Sequence, residues 1–559
     1  MPNSSDILLT RRIHILYNVR TCGALGDGTS RQWLPIRSAG SPNAAKKEKL
    51  SLFGRFLNGV ETVGNGLPHP ITMFAILAAA IVLISGLCSY LGVSATGEMI
   101  DSKTLELTEQ TVRVVSLMNK EGLAYMLTHV VSNFTGFAPL GVVLVTMLGV
   151  GCAEGSGYLS ALMKKAVSVT PAMIVTPMLV FLGVMSNVAS DIGYVVLIPI
   201  GAVVFMAYGR HPMAGLAAAF AGVSGGFSAN LLVGTLDPML SGISTEAARM
   251  VRADYVVQPT SNWYFMIVST FVIVAIGTFV TDKIVEPRLK AHKHTGEDVK
   301  EATALSDREK KALRWGNLSL LAFVLLVAAA ALPQDSFLRN AQTGSLMNDS
   351  PFMSGLIVLI ALVFFIPSIV YGRVSGTYKN EKDVCAQLGT NMSSMGGYIA
   401  LAFIAAQFIS YFNYTKLGTI LALKGADFLG TAGVSGPVLM ICFILFSAVI
   451  NLLMGSASAK WTILAPVFVP MFMLLGYSPE LTQVAYRIGD SCTNLITPLM
   501  SYFAMVVVFA KKYDSESGIG TLIATMLPYS IFFMIGWSVL LIIWMMFGLP
   551  LGPGASLMV

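Results

Sequence analysis

Long apolar runs alternate with short polar or glycine-rich stretches from Pro70 almost to the C-terminus. A helix needs about 20 largely apolar residues to cross the hydrocarbon of a bilayer, so this pattern predicts an all-α polytopic membrane protein. Clear spans are expected over about 70–93, 315–332 and 520–547, with others near 262–281 and 353–371. The polar stretches carry a consistent charge asymmetry. The loop from Ser94 to Leu123 leans acidic through Glu98, Asp101, Glu106, Glu109 and Glu121. The loop from Asp282 to Arg314 is rich in basic residues, as are the short loops holding Arg373, Lys379 and Lys382, and Lys511 with Lys512. Because Lys and Arg accumulate on the cytoplasmic side, the acidic loop is expected outside, the basic loops inside and the N-terminus in the cytoplasm.

Residues 1–68 carry nine Lys/Arg against four Asp/Glu among Gly, Ser and Pro, and are expected to form a mostly disordered cytoplasmic tail. They lack an apolar core followed by a small-residue cleavage site, which argues against a secretory signal. The transporter domain is expected over 69–550, with 551–559 as a C-terminal tail.

Within that domain the chain repeats itself. Ser190 to Pro199 aligns with Ala457 to Pro466, pairing Asp191 with Ser458 and Tyr194 with Trp461. Upstream, Phe137 through Lys164 resembles Gly397 through Lys424; downstream, Ser228-Ala229-Asn230-Leu231 matches Cys492-Thr493-Asn494-Leu495. The halves, about 122–240 and 383–510, follow loops on opposite sides and so predict an inverted repeat, the architecture of many secondary transporters. Scaffold helices are expected over about 70–93, 262–372 and 520–547. Polar, interrupted stretches at 122–142, 383–400, 183–193 and 454–461 are candidates for broken or re-entrant segments, tolerated at membrane depth only where they line a protein cavity. Ordinary Gly/Ser helix packing is the competing reading of each.

Composition sharpens this picture. Hydrophobic residues make up 55% of the 559-residue chain, 12% are charged and mean hydropathy is +0.71, whereas a soluble domain carries about 25% charged residues. The formal charge of +6 arises largely in tails and loops, so it informs topology and gives no reason to expect a nucleic-acid partner. Six scattered cysteines, Cys22, Cys88, Cys152, Cys385, Cys442 and Cys492, show neither a disulfide framework nor zinc-ligand spacing. The Walker and HExxH patterns do not occur, which removes the usual sequence basis for ATP coupling or metal-assisted hydrolysis; an enzyme is not expected.

Two constellations carry candidate chemistry. Asp191 follows Ser186-Asn187-Val188-Ala189-Ser190 between apolar stretches. A carboxylate at membrane depth costs at least ~2.5 kcal/mol and so usually marks an ion or substrate path; satisfaction by Ser186, Asn187 and backbone donors is the structural alternative. The second group holds Asn451, Ser456, Ser458 and Trp461, followed by Arg487, Asp490, Asn494 and Pro498. Arg487, Asp490 and Asn494 share one helix face by their three- and four-residue spacing. A planar guanidinium suits a carboxylate and an indole face suits an aryl ring, so the set suggests an aromatic anion as ligand. An internal Arg487–Asp490 ion pair is the alternative. Lys164, Lys165 and Arg210 are expected to snorkel at span ends; Glu154 and Asp237, expected to be partly exposed, remain ambiguous.

The stretches Val60-Glu61 through His69-Pro70, Asn133 to Gly141, Ser186 to Tyr194, Gly455 to Trp461 and Arg487 to Ser491 together resemble the p-aminobenzoyl-glutamate transporter (AbgT) family over roughly residues 55–550. The resemblance implies a bowl-like homodimer in the bacterial inner membrane, with nine transmembrane helices and two re-entrant hairpins per subunit. It implies a substrate site at Ser458, Trp461, Pro479, Arg487 and Pro498. Ion coupling falls to Asp191, Asn451 and Asp490, to which the polar stripe adds Asn494. It requires no cofactor beyond a coupling H⁺ or Na⁺. Family members are associated with uptake of p-aminobenzoyl-glutamate and with efflux of p-aminobenzoate or sulfonamides; import is the leading expectation, efflux the close alternative and a passive anion channel the alternative of another class.

Overall fold

The computed structural model describes residues 68–100, 107–189, 193–289, 304–346, 350–433, 435–500, 502–515 and 517–559. These belong to one compact unit, Leu52–Val559. The expected N-terminal tail, apart from Pro68, and the expected ion residue Asp191 lie outside the described residues.

The first half runs through α1 (Pro70–Tyr90), a hairpin of β1 (Ser94–Ile100) and β2 (Leu107–Arg113), α2 (Lys120–Thr128), α3 (Val130–Thr135), α4 (Ala138–Gly155), α5 (Tyr158–Ser168), α6 (Val175–Ser186), α7 (Ile198–Ala207), α8 (Pro212–Phe220) and α9 (Leu236–Ala248). After α10 (Trp263–Val280), α11 (Asp307–Ala331) and α12 (Leu356–Ser375) come α13 (Glu381–Ser394), α14 (Gly396–Tyr414), α15 (Leu417–Thr431), α16 (Gly436–Leu453), α17 (Ala457–Leu474), α18 (Pro479–Asn494), α19 (Phe503–Tyr513) and α20 (Ile519–Met546). Among the described residues, nine helices are long and apolar enough to cross a membrane.

The repeat is visible in the order of elements. α4 turns into α5 at Gly157, and α14 turns into α15 at Lys416; both residues are left-handed, with φ of 84° and 60°. Lys416 is the one non-glycine residue with positive φ among those described, so the second copy holds against side-chain sterics a bend that the first makes with glycine. Next, α6 passes through a 3₁₀ turn at Asn187–Ala189 and a π turn at Gly193–Leu197 into α7, while α16 breaks at Met454-Gly455-Ser456 before α17. Two matched helix breaks result. The expected interruptions at 122–142 and 383–400 are present as helix ends, at His129 and Gly136 between α2, α3 and α4, and at Met395 between α13 and α14. A further sharp bend lies between α5 and α6, whose axes turn by 116° around Pro171. The reason is local: proline cannot continue the hydrogen-bonded ladder of the preceding helix.

The β-hairpin inside the acidic loop was not foreseen from charge alone. Its register pairs Thr96 with Thr111, whose hydroxyls lie 2.8 Å apart, while Ala95 and Val114 pack with Ile420 and Leu423 of α15. The last residues are also packed, where a tail was expected. Leu551 and Leu557 are buried, Ser478 N donates to Leu557 O at 3.0 Å and Val559 N to Gly476 O at 3.0 Å.

Close backbone approach holds the first break in place. A Cβ on Gly222 would lie 2.4 Å from Val180 O of α6, so this crossing accepts only glycine without a shift of main chain. Gly222→Ala is expected to destabilise the protein by about 1–3 kcal/mol, measured as a lowered midpoint of thermal unfolding in detergent. Near the start of α8, Arg210 forks onto Asp282 at 2.6 Å and onto Glu286, tying α8 to the end of α10. Its expected role as an end anchor therefore takes the form of a defined ion cluster.

Candidate functional site: a buried polar helix between two helix breaks

α18 is the unusual element. Ser478 caps it by accepting from Leu481 N at 3.2 Å, Pro479 opens it and Glu480 sits in its first turn, all of which favour a helix start here. Pro479 therefore has a helix-initiating position. Every residue from Pro479 to Asn494 is buried, although the helix carries Gln483, Arg487, Asp490, Thr493 and Asn494. Polar groups withdrawn from water at this depth must be paired within the protein, and their partners define the site.

Asp490 pairs with Lys460 of α17, with Nζ 2.5 Å from Oδ1; the two side chains are 2% and 0% exposed. Lys460 also donates to Asn451 Oδ1. Asn451 in turn donates to Asp490 O at 2.7 Å, Thr493 Oγ1 at 2.9 Å and Asn494 Oδ1 at 2.9 Å. Three of the expected ion residues, Asn451, Asp490 and Asn494, are thus in one cluster. Lys460 completes it and was missed as a functional candidate. The signal was present, because an ionisable side chain flanked by apolar runs is suspect by default at membrane depth.

Arg487 does not pair with Asp490. Its NH1 donates to Asp237 Oδ1 of α9 at 2.6 Å, and Asp237 Oδ2 accepts from Gly234 N at 2.6 Å. Asp237, expected to be partly exposed, is buried. Arg487 and Asp490 share a stripe of α18 but face different neighbours, which the intrahelical spacing did not reveal. Arg487 Nε is buried and has no hydrogen-bond partner among the described residues, so the guanidinium keeps donor capacity in reserve.

Trp461 differs from its expected role as an open platform. It is wholly buried and stacks on Tyr486, with ring centroids 4.5 Å apart and planes at 24°. Its Nε1 donates to Ser244 Oγ at 2.9 Å, and Ser244 donates to Gln483 Oε1 at 2.6 Å. Gln483 Nε2 donates to Asn262 Oδ1 at 2.7 Å, and Asn262 Nδ2 to Glu480 O at 3.0 Å. Tyr255 donates to Glu480 Oε2 at 2.9 Å; burial, then the neighbouring Glu480 charge, pushes its phenol well above the ordinary tyrosine range, so it remains a donor. Trp461 is therefore the end of a polar chain that locks α9, α17 and α18 together.

The open space lies beside this network. A cavity of about 130 Å³ is lined by Tyr194, Phe227, Gly455, Ala457, Asn494, Met500 and Tyr502. It gathers residues from both helix breaks, and a Cβ on Gly455 would lie 2.6 Å from Leu499 O. Tyr194 and Tyr502 stack at 4.7 Å with planes 13° apart. An apolar cavity of ~150 Å³ holds benzene, so this one has the size and lining for a single aryl ring, with the Asn494 amide as its polar handle. Ser458, half-buried on the first turn of α17, lies 3.4 Å from Ser456 Oγ. Pro498 is half-buried in the turn after α18. Neither Arg487, Ser458 nor Trp461 lines the cavity in this conformation. The repeat alignment did pair Tyr194 with Trp461, and of the two it is Tyr194 that lines the cavity.

Residues 55–559 match the sequence profile of the AbgT putative transporter family. The chain is 38% identical over 502 residues to the p-aminobenzoyl-glutamate transport protein of Escherichia coli (strain K12), covering 90% of this chain and 96% of that relative. Among solved structures, it is similar to the YdaH transporter of Alcanivorax borkumensis, at 48% identity and a TM-score of 0.81, over 87% of this chain and 100% of that one. It is also similar to MtrF of Neisseria gonorrhoeae, described with a class of antimetabolite efflux pumps, at 49% identity and a TM-score of 0.84, over 90% of this chain and 100% of that one.

Proposed function

Because this chain belongs to the AbgT family of membrane transporters, we propose that it moves p-aminobenzoyl-glutamate and related aromatic carboxylates of folate metabolism across the bacterial inner membrane, driven by an ion gradient. The observation that carries the substrate class is the ring-sized cavity between the two helix breaks, with Tyr194, Phe227 and Tyr502 around it and Asn494 at its polar edge. Alternating access follows from that position: moving the core that carries one break against the other would open the cavity to one side at a time. The unused Nε of Arg487 is the donor best suited to a substrate carboxylate once such a movement brings the two together. The reading includes a homodimer and a cytoplasmic N-terminus.

Efflux of p-aminobenzoate and sulfonamide antimetabolites is the second reading, favoured by the 49% identity to MtrF against 38% to the E. coli transport protein. Flux of labelled p-aminobenzoyl-glutamate and of a sulfonamide in proteoliposomes, with proton and sodium gradients imposed separately in each direction, decides between them. Accumulation above equilibrium under one gradient is expected. Equilibration without accumulation under every gradient would replace the coupled transporter with a passive anion channel.

A further inference from the structure

Asn451 and Asp490 were expected, from the resemblance, to hold a coupling H⁺ or Na⁺. The structure puts another cation there. Lys460 Nζ lies 2.5 Å from Asp490 Oδ1 and donates to Asn451 Oδ1, so an ammonium stands where a sodium ion would need these two oxygens. Lys460 is the one buried lysine among the described residues. A long, entropically costly and strongly hydrated side chain is fully buried there, which calls for a role.

Among the described residues, the other buried carboxylates are Asp237 and Glu480, and each has its own partner. The neighbouring buried cation, Arg487, is matched by Asp237. Glu480, at the first turn of α18, accepts from Tyr255 and lies ten residues, about 15 Å along the helix, from Asp490. Asn451 is saturated too: its Nδ2 faces three acceptors on α18 and its Oδ1 takes Lys460. Tyr486 points its hydroxyl toward Ala457 O at 2.5 Å and comes within 3.4 Å of Asp490 Oδ1.

We propose that Lys460 is a tethered cation that fills the Asn451–Asp490 ion site, so that this transporter binds no sodium there, and that removing the ammonium creates a sodium site. The geometry supplies what such a site needs. Hard cations take oxygen ligands, and Asn451 Oδ1 and Asp490 Oδ1 already converge on one positively charged atom. Shortening Lys460 to alanine empties the volume of a four-carbon stem beside a buried carboxylate, leaving room for an ion and water.

This inference deepens the proposed transport function and rests on that reading for its meaning, but its test does not. Purified wild type, Lys460→Ala, Asp490→Asn and the double variant are melted in detergent in sodium chloride and in choline chloride at equal ionic strength. Wild type is expected to melt alike in both salts. Lys460→Ala is expected to gain about 2 °C or more in sodium, and the double variant to lose that gain. A sodium-specific rise in wild type that Asp490→Asn abolishes overturns the proposal, as does a folded Lys460→Ala indifferent to sodium. If Lys460→Ala is recovered in neither salt, wild type and Asp490→Asn decide alone, by the presence or absence of the sodium-specific rise. Proteoliposome flux then separates the two claims: the expected salt pattern without flux of either substrate keeps the tethered cation and removes the transport reading, whereas flux with a sodium-bound wild-type site does the reverse.

Discussion

Asp237→Ala is expected to destabilise the protein by about 3–5 kcal/mol and to abolish transport. The carboxylate is buried and holds Arg487 at 2.6 Å, with the two side chains 3% and 4% exposed. Deleting one partner leaves a guanidinium desolvated and unpaired, which is the expensive way to break a buried ion pair. Arg487 Nε already lacks a partner among the described residues, so the side chain has little else to fall back on. Removing both charges together has a different expected result. Asp237→Leu with Arg487→Met exchanges the pair for apolar volume, and its unfolding midpoint is expected to return close to that of wild type. Transport by the double variant then isolates the role of the guanidinium. Folded protein without flux assigns Arg487 to the substrate carboxylate; full flux would make the pair a strut between α9 and α18.

The pairing behind that prediction shows where the sequence stops being readable. Span positions, the repeat and the polar character of 487–494 follow from periodicity and spacing, because a helix fixes which residues share its faces. Which neighbour each face meets is a tertiary fact. The three-residue spacing of Arg487 and Asp490 made an intrahelical pair reasonable, yet α9 brings Asp237 to the first and α17 brings Lys460 to the second. Those partners lie 250 and 30 positions away, and no local pattern joins them. The packed segment 551–559 was likewise opaque, since Gly-Pro-Gly composition reads as a tail until Leu551 is seen buried at the start of α10 and Leu557 at the start of α18. Both helix breaks were legible, because a glycine- and serine-rich interruption inside an apolar run has few other uses when it recurs in matched positions.

Trp461 and Tyr194 test whether the aromatic site has been placed correctly, since the two rings are expected to fail in different ways. Trp461→Ala should cost about 3–5 kcal/mol of stability: it removes a fully buried indole, ends the stack on Tyr486 and strands Ser244. Its loss of transport should accompany a lowered unfolding midpoint. Tyr194 borders the cavity, stacks on Tyr502 and meets Phe220 edge-on. Tyr194→Leu retains apolar bulk and should leave the midpoint within a few degrees, while weakening the contact with an aryl substrate enough to raise KM about tenfold. Saturable flux and thermal unfolding measured on the same preparations separate these effects. If Trp461→Ala raised KM without lowering stability and Tyr194→Leu changed neither, the substrate ring would belong on Trp461, and the core would have to open between α17 and α18 to admit it.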